Sequence, residues 1–431
     1  MESRTYKITS GRNLIDSITY FFSHFNTFCI LNSNSQHFIT NKNSLYCNYN
    51  IVAGAGVKRS ISSSLNSFNE LKNFVMSSGN WIFGHLCYDL KNETEPILFS
   101  KHSDYIGFEN IFFFEAEIVV LCKENILTII ASSADECNRA YNEIIPEYEN
   151  TYSIKELIFN CRMDRKDYGN IFKKLKQHIQ LGDIYEITFC REFFAEANIQ
   201  PSEIFKALCT NLPAPFSALY KINDKYLISA SPERFMLKRG NKLISQPMKG
   251  TYPRLPDAEM DLQQIIKLKN DIKERSENVM ITDLVRNDLS RSASVNSVKV
   301  EELFGVYTFP NVHQMISTVV SELKDNKHFT EAIKYAFPMG SMTGAPKIRA
   351  MQLIEEYETA RRGLFSGSVG YISPDGNFDF SVIIRSLLYN SSNHYLSLSA
   401  GGAITSQSDE EKEFAESELK ASGILNVFKV Y

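Results

Sequence analysis

The chain has 431 residues, of which 43% are hydrophobic and 22% are charged, and its formal net charge is −4. This length exceeds the ~250–300 residues at which one core usually stops growing, so we expect two lobes or one large composite fold. The charge balance shows no basic patch and argues against a nucleic-acid partner. No apolar run is long and uncharged enough to cross a bilayer, so we expect no membrane partner either.

Two features bear on the cellular compartment. Residues 1–13 are polar and lack the apolar core of a secretory signal peptide, so we expect none. The eight cysteines are scattered without a Cys-x-x-Cys pair, which favours reduced thiols over a disulfide framework or a zinc site. We therefore expect a cytoplasmic protein.

Residues 1–150 indicate a strand-rich lobe, because their apolar segments are short and β-branched or aromatic. The segment 79–95 holds the only tryptophan, Trp81, beside glycines and other aromatic residues, which is typical of a buried aromatic cluster. The acidic stretch 143–149 is a candidate linker. Residues 151–431 would then form the second region.

The second region opens with a predicted helix. Apolar residues recur at helical spacing from Tyr168 to Ile179, and Gly182 is placed to end that helix. Alternating residues then predict strands at 183–189, 225–230 and 242–245.

Three ionisable residues lie in or beside these strands. Glu186 is in the first, and Glu233 follows the second in a proline-containing turn. Lys249 follows the third strand, in a predicted turn between Pro247 and Gly250. A lysine in a turn is usually solvated, but a pocket that closed over Lys249 would lower its pKa and make the amine nucleophilic.

Two acidic segments follow. Glu274 and Glu277 stand three residues apart in Asp271–Asp288, where apolar residues recur at helical intervals, so both carboxylates lie on one face of a predicted helix. Glu413 and Glu416 have the same spacing in a helix predicted to begin near residue 409. The two acidic faces would suit one Mg²⁺ ion, which takes one or two carboxylates and keeps several waters.

An ordinary solvated helix face is the alternative for these acids. Glu416 and Lys420 form an i,i+4 pair in the favourable orientation, which stabilises an exposed helix by ~0.2–0.5 kcal/mol without any metal. Spacing alone leaves both interpretations open.

A segment rich in glycine and proline lies at 337–347, with the sequence F-P-M-G-S-M-T-G-A-P-K. Its free backbone N–H groups suit a carboxylate as well as a phosphate, and its residue order is not that of a P-loop. Further on, Arg385 lies in an apolar run. A guanidinium there needs a carboxylate partner, either from the protein or from a ligand.

Seven segments, in this order, resemble the chorismate-utilising enzymes: G-D-I-Y-E-I-T-F, S-P-E-R-F, P-M-K-G-T, E-N-V-M-I-T-D-L-V-R-N-D, G-S-M-T-G-A-P-K, G-S-V-G-Y and A-G-G-A-I. The resemblance runs from about Tyr168 to the C-terminus, with a weaker match at W-I-F-G-H-L-C-Y-D-L-K. It implies an α+β fold of the anthranilate synthase component I type, with two near-orthogonal antiparallel β-sheets and helices packed outside.

The resemblance also implies a site for chorismate and Mg²⁺. Glu277 and Glu416 would bind the metal directly, while Glu274 and Glu413 would hold its waters. Substrate contacts would come from the residues that match family positions, namely Thr343, Gly344, Tyr371, Arg385, Gly401, Gly402, Ala403 and Lys420. Because chorismate carries two carboxylates, the four acids must be offset by the metal and by the two basic residues.

A few positions bear on the reaction. Relatives that form isochorismate or salicylate carry a lysine at the place of Glu186, so water addition is not expected here. Anthranilate synthases carry alanine at the place of Lys249, whereas relatives that form 4-amino-4-deoxychorismate carry a lysine, thought to attack C2 of the ring as the C4 hydroxyl leaves. Glu233 or His313 would assist that departure. The family's catalytic histidine aligns with either His313 or Gln314.

We therefore expect an enzyme that transfers an amino group, converting chorismate and ammonia to 4-amino-4-deoxychorismate for 4-aminobenzoate and folate synthesis. No glutaminase segment is evident, so the ammonia would come from a separate glutamine amidotransferase subunit or be taken up free. Anthranilate synthesis is the alternative within the enzyme class. A non-catalytic chorismate-binding subunit is the alternative outside it.

Overall fold

The computed structural model describes residues 1–9, 14–35, 49–146 and 154–428. These residues form twenty β-strands and eleven α-helices. The expected boundary at residue 150 lies outside the described residues, as does part of the candidate linker at 143–149. Among the described residues, no helix is long and apolar enough to cross a membrane.

The strands are β1 (Glu2–Lys7), β2 (Thr27–Asn32), β3 (Ile51–Ser63), β4 (Ile82–Leu86), β5 (Ile111–Lys123), β6 (Ile126–Ala131), β7 (Asn160–Cys161), β8 (Glu186–Glu196), β9 (Phe216–Ile222), β10 (Lys225–Ser231), β11 (Arg234–Arg239), β12 (Lys242–Gln246), β13 (Met248–Pro253), β14 (Lys299–Thr308), β15 (Val312–Glu322), β16 (Gly344–Ala345), β17 (Ser368–Ile372), β18 (Phe378–Val382), β19 (Ser386–Asn390) and β20 (Tyr395–Thr405).

The helices are α1 (Ile15–Ser23), α2 (Ser67–Met76), α3 (Lys91–Thr94), α4 (Ala134–Ile144), α5 (Arg165–Leu181), α6 (Pro201–Asn211), α7 (Ala258–Asn270), α8 (Ile272–Ser290), α9 (Phe329–Ala336), α10 (Lys347–Tyr357) and α11 (Glu410–Leu425).

Every pairing between the described strands is antiparallel, and hydrogen bonds connect the strands into one continuous network. Both halves of the chain contribute to it, since β2 pairs with β9 and β4 pairs with β17. The α+β fold with an antiparallel sheet and packed helices is therefore confirmed.

The aromatic cluster predicted around Trp81 is part of the core. The indole is 8% exposed and belongs to a large apolar cluster with side chains of β4, β5 and β17. Its ring lies 5.5 Å from that of Tyr371, measured between centroids. Burial of aromatic surface holds the first lobe against the second region here.

The helix predicted from Tyr168 to Ile179 is α5, and Gly182 ends it with a φ of +82°. The strand predicted to begin at residue 183 begins instead at Glu186, the first residue of β8. The reason is that the N–H of Asp183 bonds to the carbonyl of His178 at 3.0 Å and closes the end of the helix.

The two acidic helices are present as predicted, but their local details differ. On α8 the apolar residues Ile272 and Val279 are 80% and 46% exposed, and the buried face includes Glu277 and Asn278 instead. On α11 the N-cap is Asp409, whose side chain accepts a hydrogen bond from the N–H of Lys412 at 3.1 Å.

Candidate active site

The acids of α8 and α11 face each other. Glu274 and Glu277 project from α8, and Glu413 and Glu416 project from α11. The amine of Lys273 lies 3.8 Å from Oε1 of Glu277 and 3.8 Å from Oε1 of Glu413. One cation thus spans the gap between the two helices.

Burial dominates the protonation of this cluster. It raises the pKa of Glu277 to about 7 and raises the pKa values of Glu274 and Glu413. Burial acts in the same direction on Glu416, but Lys420, whose amine is 2.7 Å from its Oε1, brings the pKa of Glu416 below the ordinary value. Oε1 of Glu277 is buried without a hydrogen-bond partner among the described residues. Lys273 and Lys420 therefore offset only part of the negative charge of the four acids.

The donor chemistry of the four acids fits Mg²⁺. Carboxylate oxygens are its preferred protein ligands, and it keeps several waters when one or two carboxylates reach it. In the part of the chain that the structure describes, no three Asp, Glu, His or Cys side chains stand close enough together to surround an ion. The ammonium of Lys273 already occupies a cation position between the helices.

Lys249 lies inside a strand and not in the turn that the sequence predicts. The register of β13 against β15 shifts between Met248 and Thr251, so Lys249 and Gly250 together stand opposite the single residue Met315. This is a β-bulge, which bends a strand and re-aims a side chain. Gly250 has a φ of +91°, which glycine adopts without strain.

The bulge places the Lys249 amine 2.8 Å from Oε1 of Glu186, at the start of β8. The two side chains are only 13% and 4% exposed. Burial by itself would lower the pKa of Lys249, but the carboxylates of Glu186 and Glu277 raise it above its ordinary value. The expectation of a lowered pKa is therefore wrong, because the neighbouring negative charges outweigh the loss of water.

Glu233 is the second buried carboxylate near Lys249. It directly precedes β11 and is 5% exposed. Burial raises its pKa to about 7, although Lys249 and Arg385 act in the opposite direction. A pKa near neutrality suits a group that gives or takes a proton during a reaction.

Arg385 is a further cation near Glu233. Among the described residues, none makes a hydrogen bond or an ion pair with its guanidinium. Burial lowers its pKa, and only the charge of Glu233 opposes that effect. Of the two explanations for an arginine in an apolar run, this arrangement favours an anionic ligand over a structural ion pair.

Two glycines in β20 allow close approach, Gly401 toward β8 and Gly402 toward the acids of α11. A Cβ at Gly401 would lie 1.9 Å from the carbonyl oxygen of Phe189 in β8, and a Cβ at Gly402 would lie 3.1 Å from Oε2 of Glu413. Lys420 donates a hydrogen bond to the carbonyl of Gly401 at 2.9 Å. The backbone of β20 and the acids of α11 therefore share one site.

The glycine-rich segment packs against the start of β8. The carbonyl of Thr343 accepts a hydrogen bond from the N–H of Thr188 at 2.9 Å, and its hydroxyl bonds to two carbonyls of its own loop. A Cβ at Gly344 would lie 2.2 Å from the carbonyl oxygen of Glu186, so only glycine fits there. Ala403 pairs with Thr188 from the other neighbouring strand. The loop thus borders the Glu186–Lys249 pair.

Tyr371 lies apart from the other predicted site residues. Its ring packs on Trp81, and its hydroxyl accepts a hydrogen bond from Arg239 at 3.5 Å. Burial raises the pKa of this phenol. Its described contacts are those of a core residue.

His313 also points away from Lys249. Its Nε2 lies 2.8 Å from Oδ1 of Asp261 on α7, and its Nδ1 lies 3.0 Å from the hydroxyl of Thr308 on β14. Neighbouring residues of a strand face opposite sides. The side chain of Gln314, not that of His313, therefore bonds to the two residues that follow Lys249 in β13.

One buried ion pair was missed by the sequence reasoning. Arg362 lies 2.6 Å from Glu358 and donates to the carbonyls of Met342 at 2.6 Å and Thr188 at 2.9 Å. Glu358 accepts a hydrogen bond from the N–H of Cys190 at 2.8 Å. Through these hydrogen bonds, the ion pair connects the glycine-rich loop to β8. Its i,i+4 spacing is a weak sequence signal, because it is typical of helices and residues 358–362 follow the end of α10.

The chain matches known proteins over most of its length. The family model described as chorismate binding enzyme matches residues 26–426. Aminodeoxychorismate synthase component 1 of Escherichia coli (strain K12) is 42% identical over 267 residues, which cover 62% of this chain and 58% of that protein. Anthranilate synthase component 1 of Aquifex aeolicus is 31% identical over 370 residues, covering 81% of this chain and 74% of that protein.

The aminodeoxychorismate synthase match therefore spans less than two thirds of that relative's own length. Two solved structures share the fold. Anthranilate synthase component I from Streptococcus pneumoniae TIGR4 gives a TM-score of 0.75 at 23% identity, covering 99% of this chain and 92% of that one. The menaquinone-specific isochorismate synthase from Escherichia coli gives 0.76 at 15% identity, covering 99% and 95%. Since the family model matches nearly the whole chain, the chain belongs to the chorismate binding enzyme family.

Proposed function

We propose that this chain is the synthase component that converts chorismate and ammonia to 4-amino-4-deoxychorismate, for 4-aminobenzoate and folate synthesis in the cytoplasm. The observation that carries the proposal is the buried Lys249–Glu186 pair at 2.8 Å, beside Glu233 and the unpartnered Arg385. The relatives named aminodeoxychorismate synthase component 1 support it at 42% identity.

Substrate binding follows from the charges of the site. Chorismate is a dianion, and the half-buried guanidinium of Arg385, which has no partner among the described residues, offers a bidentate partner for one carboxylate. Lys420 and the backbone of Gly401 and Gly402, which lie beside the acids of α11, would bind the other carboxylate. The loop carrying Thr343 and Gly344 closes the side next to Glu186.

The amine of Lys249 would act as the nucleophile. Glu186 first takes a proton from the ammonium of Lys249, to which it is already hydrogen-bonded. The neutral amine then forms a bond to C2 of the ring, the two ring double bonds shift, and the C4–O bond breaks. Glu233 protonates the departing hydroxide, so that water leaves.

Ammonia completes the reaction. It forms a bond to C4, the double bonds shift back, and the C2–N bond breaks with its electron pair returning to Lys249. The new ammonium at C4 gives a proton to Glu233, and Glu186 returns its proton to Lys249. The balance is chorismate plus ammonia giving aminodeoxychorismate plus water. A separate glutamine amidotransferase subunit would supply the ammonia, because the relatives' name denotes one component of a synthase.

Mg²⁺ would be held by Glu277 and Glu416 directly and by Glu274 and Glu413 through water, supplying a Lewis acid for a substrate carboxylate. The support lies in the all-oxygen donors, in the Oε1 of Glu277 that has no hydrogen-bond partner among the described residues, and in the cation position taken by Lys273. Without such a charge, a dianionic substrate would be repelled by the four acids.

Anthranilate synthesis is the second candidate, because anthranilate synthases match the chain over 81% of its length. Lys249 opposes it, since a reaction at C2 by ammonia itself requires no lysine there. A non-catalytic chorismate-binding subunit would likewise have no use for a buried nucleophile.

The test combines purified chain, chorismate, Mg²⁺ and ammonium salt, with the products separated by chromatography. We expect aminodeoxychorismate from the wild type. Lys249→Arg keeps a cation beside Glu186, but a guanidinium stays protonated, so we expect at least ~10²-fold slower turnover. Anthranilate as the wild-type product, or wild-type rates in Lys249→Arg, would contradict the proposal.

A further inference from the structure

Both the nitrogen and the oxygen of the Gln314 carboxamide form hydrogen bonds with the strand that carries Lys249. The side chain belongs to β15 and is 4% exposed. Its Nε2 donates a hydrogen bond to the carbonyl of Gly250 at 2.7 Å, and its Oε1 accepts one from the hydroxyl of Thr251 at 2.7 Å. Both partners follow Lys249 directly in the chain.

These two bonds lie where the ladder between β13 and β15 is irregular. A bulge leaves its extra residue without a regular partner across the ladder, so buried backbone groups there need another partner. Gln314 supplies a donor to the carbonyl of Gly250 and an acceptor to the next side chain. The carboxamide therefore stabilises the bulged register over a slipped, regular one.

The register decides where the amine of Lys249 points. Side chains alternate between the two faces of a strand, so a one-residue slip would carry Lys249 to the face opposite Glu186. A carboxamide has a donor and an acceptor in a fixed fork and does not titrate near neutrality. Gln314 is thus suited to hold geometry, and it cannot carry a proton in the reaction.

We propose that Gln314 is a positioning residue for Lys249, whose carboxamide holds the bulge that directs the amine at Glu186. The consequence for catalysis rests on the proposed function, whereas the consequence for the strand does not. Replacing Gln314 should leave chorismate binding largely intact and slow the covalent step.

The experiment compares wild type, Gln314→Met and Gln314→Glu. The methionine keeps the volume and removes both hydrogen bonds, and the glutamate keeps the acceptor but loses the donor to Gly250. Thr318→Val is the matched control, because Thr318 is buried on the same face of β15 and accepts its hydrogen bond from Gln246. Each variant is measured by hydrogen exchange of the peptide 248–253 and by steady-state kinetics.

In Gln314→Met we expect the peptide 248–253 to exchange at least about tenfold faster. The kcat should fall by ~10²-fold with KM for chorismate within about threefold, since small misplacements of a reacting group cost that much. The kcat and the exchange rate of Gln314→Glu should lie between those of Gln314→Met and wild type. Thr318→Val should retain the wild-type kcat and the wild-type exchange rate of this peptide.

Wild-type exchange of this peptide in folded Gln314→Met would overturn the proposal, as would an equal loss of kcat in the Thr318→Val control. If the wild type makes no aminodeoxychorismate, the proposed function fails, but the exchange comparison still decides the role of Gln314.

Discussion

Replacement of Glu233 by glutamine should raise the stability of this protein at alkaline pH while lowering its activity. Burial raises the pKa of Glu233 from 4.5 to about 7. A carboxyl whose pKa is higher in the folded state binds its proton more tightly there, so the unfolded state releases the proton first as the pH rises. Its contribution to stability is therefore fully present below about pH 4.5 and is lost as the pH rises to about 7.

The pKa values of Glu233 in the folded and unfolded states differ by about 2.5. Each pKa unit corresponds to about 1.4 kcal/mol, so the difference changes the free energy of unfolding by about 3 kcal/mol. Glu233→Gln keeps the shape of the side chain and removes its ionisation. We expect the variant to be about 3 kcal/mol more stable than wild type at pH 8 and equally stable at pH 4.5. Loss of the proton donor should lower kcat by at least ~10²-fold.

Urea unfolding, followed by the fluorescence of the single tryptophan, measures the stability of wild type and of Glu233→Gln between pH 4.5 and 8. Glu117→Gln serves as the control, because Glu117 is an exposed carboxylate on β5 and its replacement should leave the pH dependence of stability unchanged. A stability difference between Glu233→Gln and wild type that stays constant over this pH range would refute the reasoning.

Two other outcomes test the metal and the nitrogen source. Glu277→Ala should abolish turnover and weaken Mg²⁺ binding by at least ~10-fold in titration calorimetry, because it removes a direct ligand and leaves the facing acids uncompensated. Glu411→Gln is the control, since Glu411 is exposed on the same helix as Glu413 and Glu416. An unchanged Mg²⁺ affinity in Glu277→Ala would contradict the two-helix site. Ammonium salts should support turnover by the isolated chain, whereas glutamine should do so only after a glutaminase subunit is added. Glutamine-driven turnover by the chain alone would contradict that assignment.

Helical spacing was enough to find α8 and α11, but hydrophobicity alone was misleading about which face of α8 is buried. The apolar Ile272 is 80% exposed, while Glu277 and Asn278 are buried. The first turns of α8 depart from the usual pattern because the site needs charged groups there, whereas Ile281, Val285 and Leu289 further along the helix are buried as usual. The i,i+3 spacing of the acids was therefore the more reliable signal than the apolar residues between them.

The position of Lys249 could not be predicted from neighbouring residues. Pro247 and Gly250 on either side indicate a turn, yet the segment is a strand with a bulge. The bulge is held by Gln314, which lies 64 residues further along the chain from Gly250. Local secondary-structure propensity cannot indicate such a contact, because the contact forms only when β13 and β15 pair.

The Lys249–Glu186 pair resolves a conflict between stability and reactivity. A buried neutral amine would be ready to react but would leave the carboxylates of Glu186 and Glu233 uncompensated in the same site. The ion pair stabilises those charges and still keeps the proton of Lys249 2.8 Å from an acceptor. A lysine at the position of Glu186, as the isochorismate-forming relatives are expected to have, would place two cations there and would leave Lys249 without a base. The acid at position 186 and the lysine at position 249 are therefore best understood as one unit, in which neither residue would serve the proposed reaction without the other.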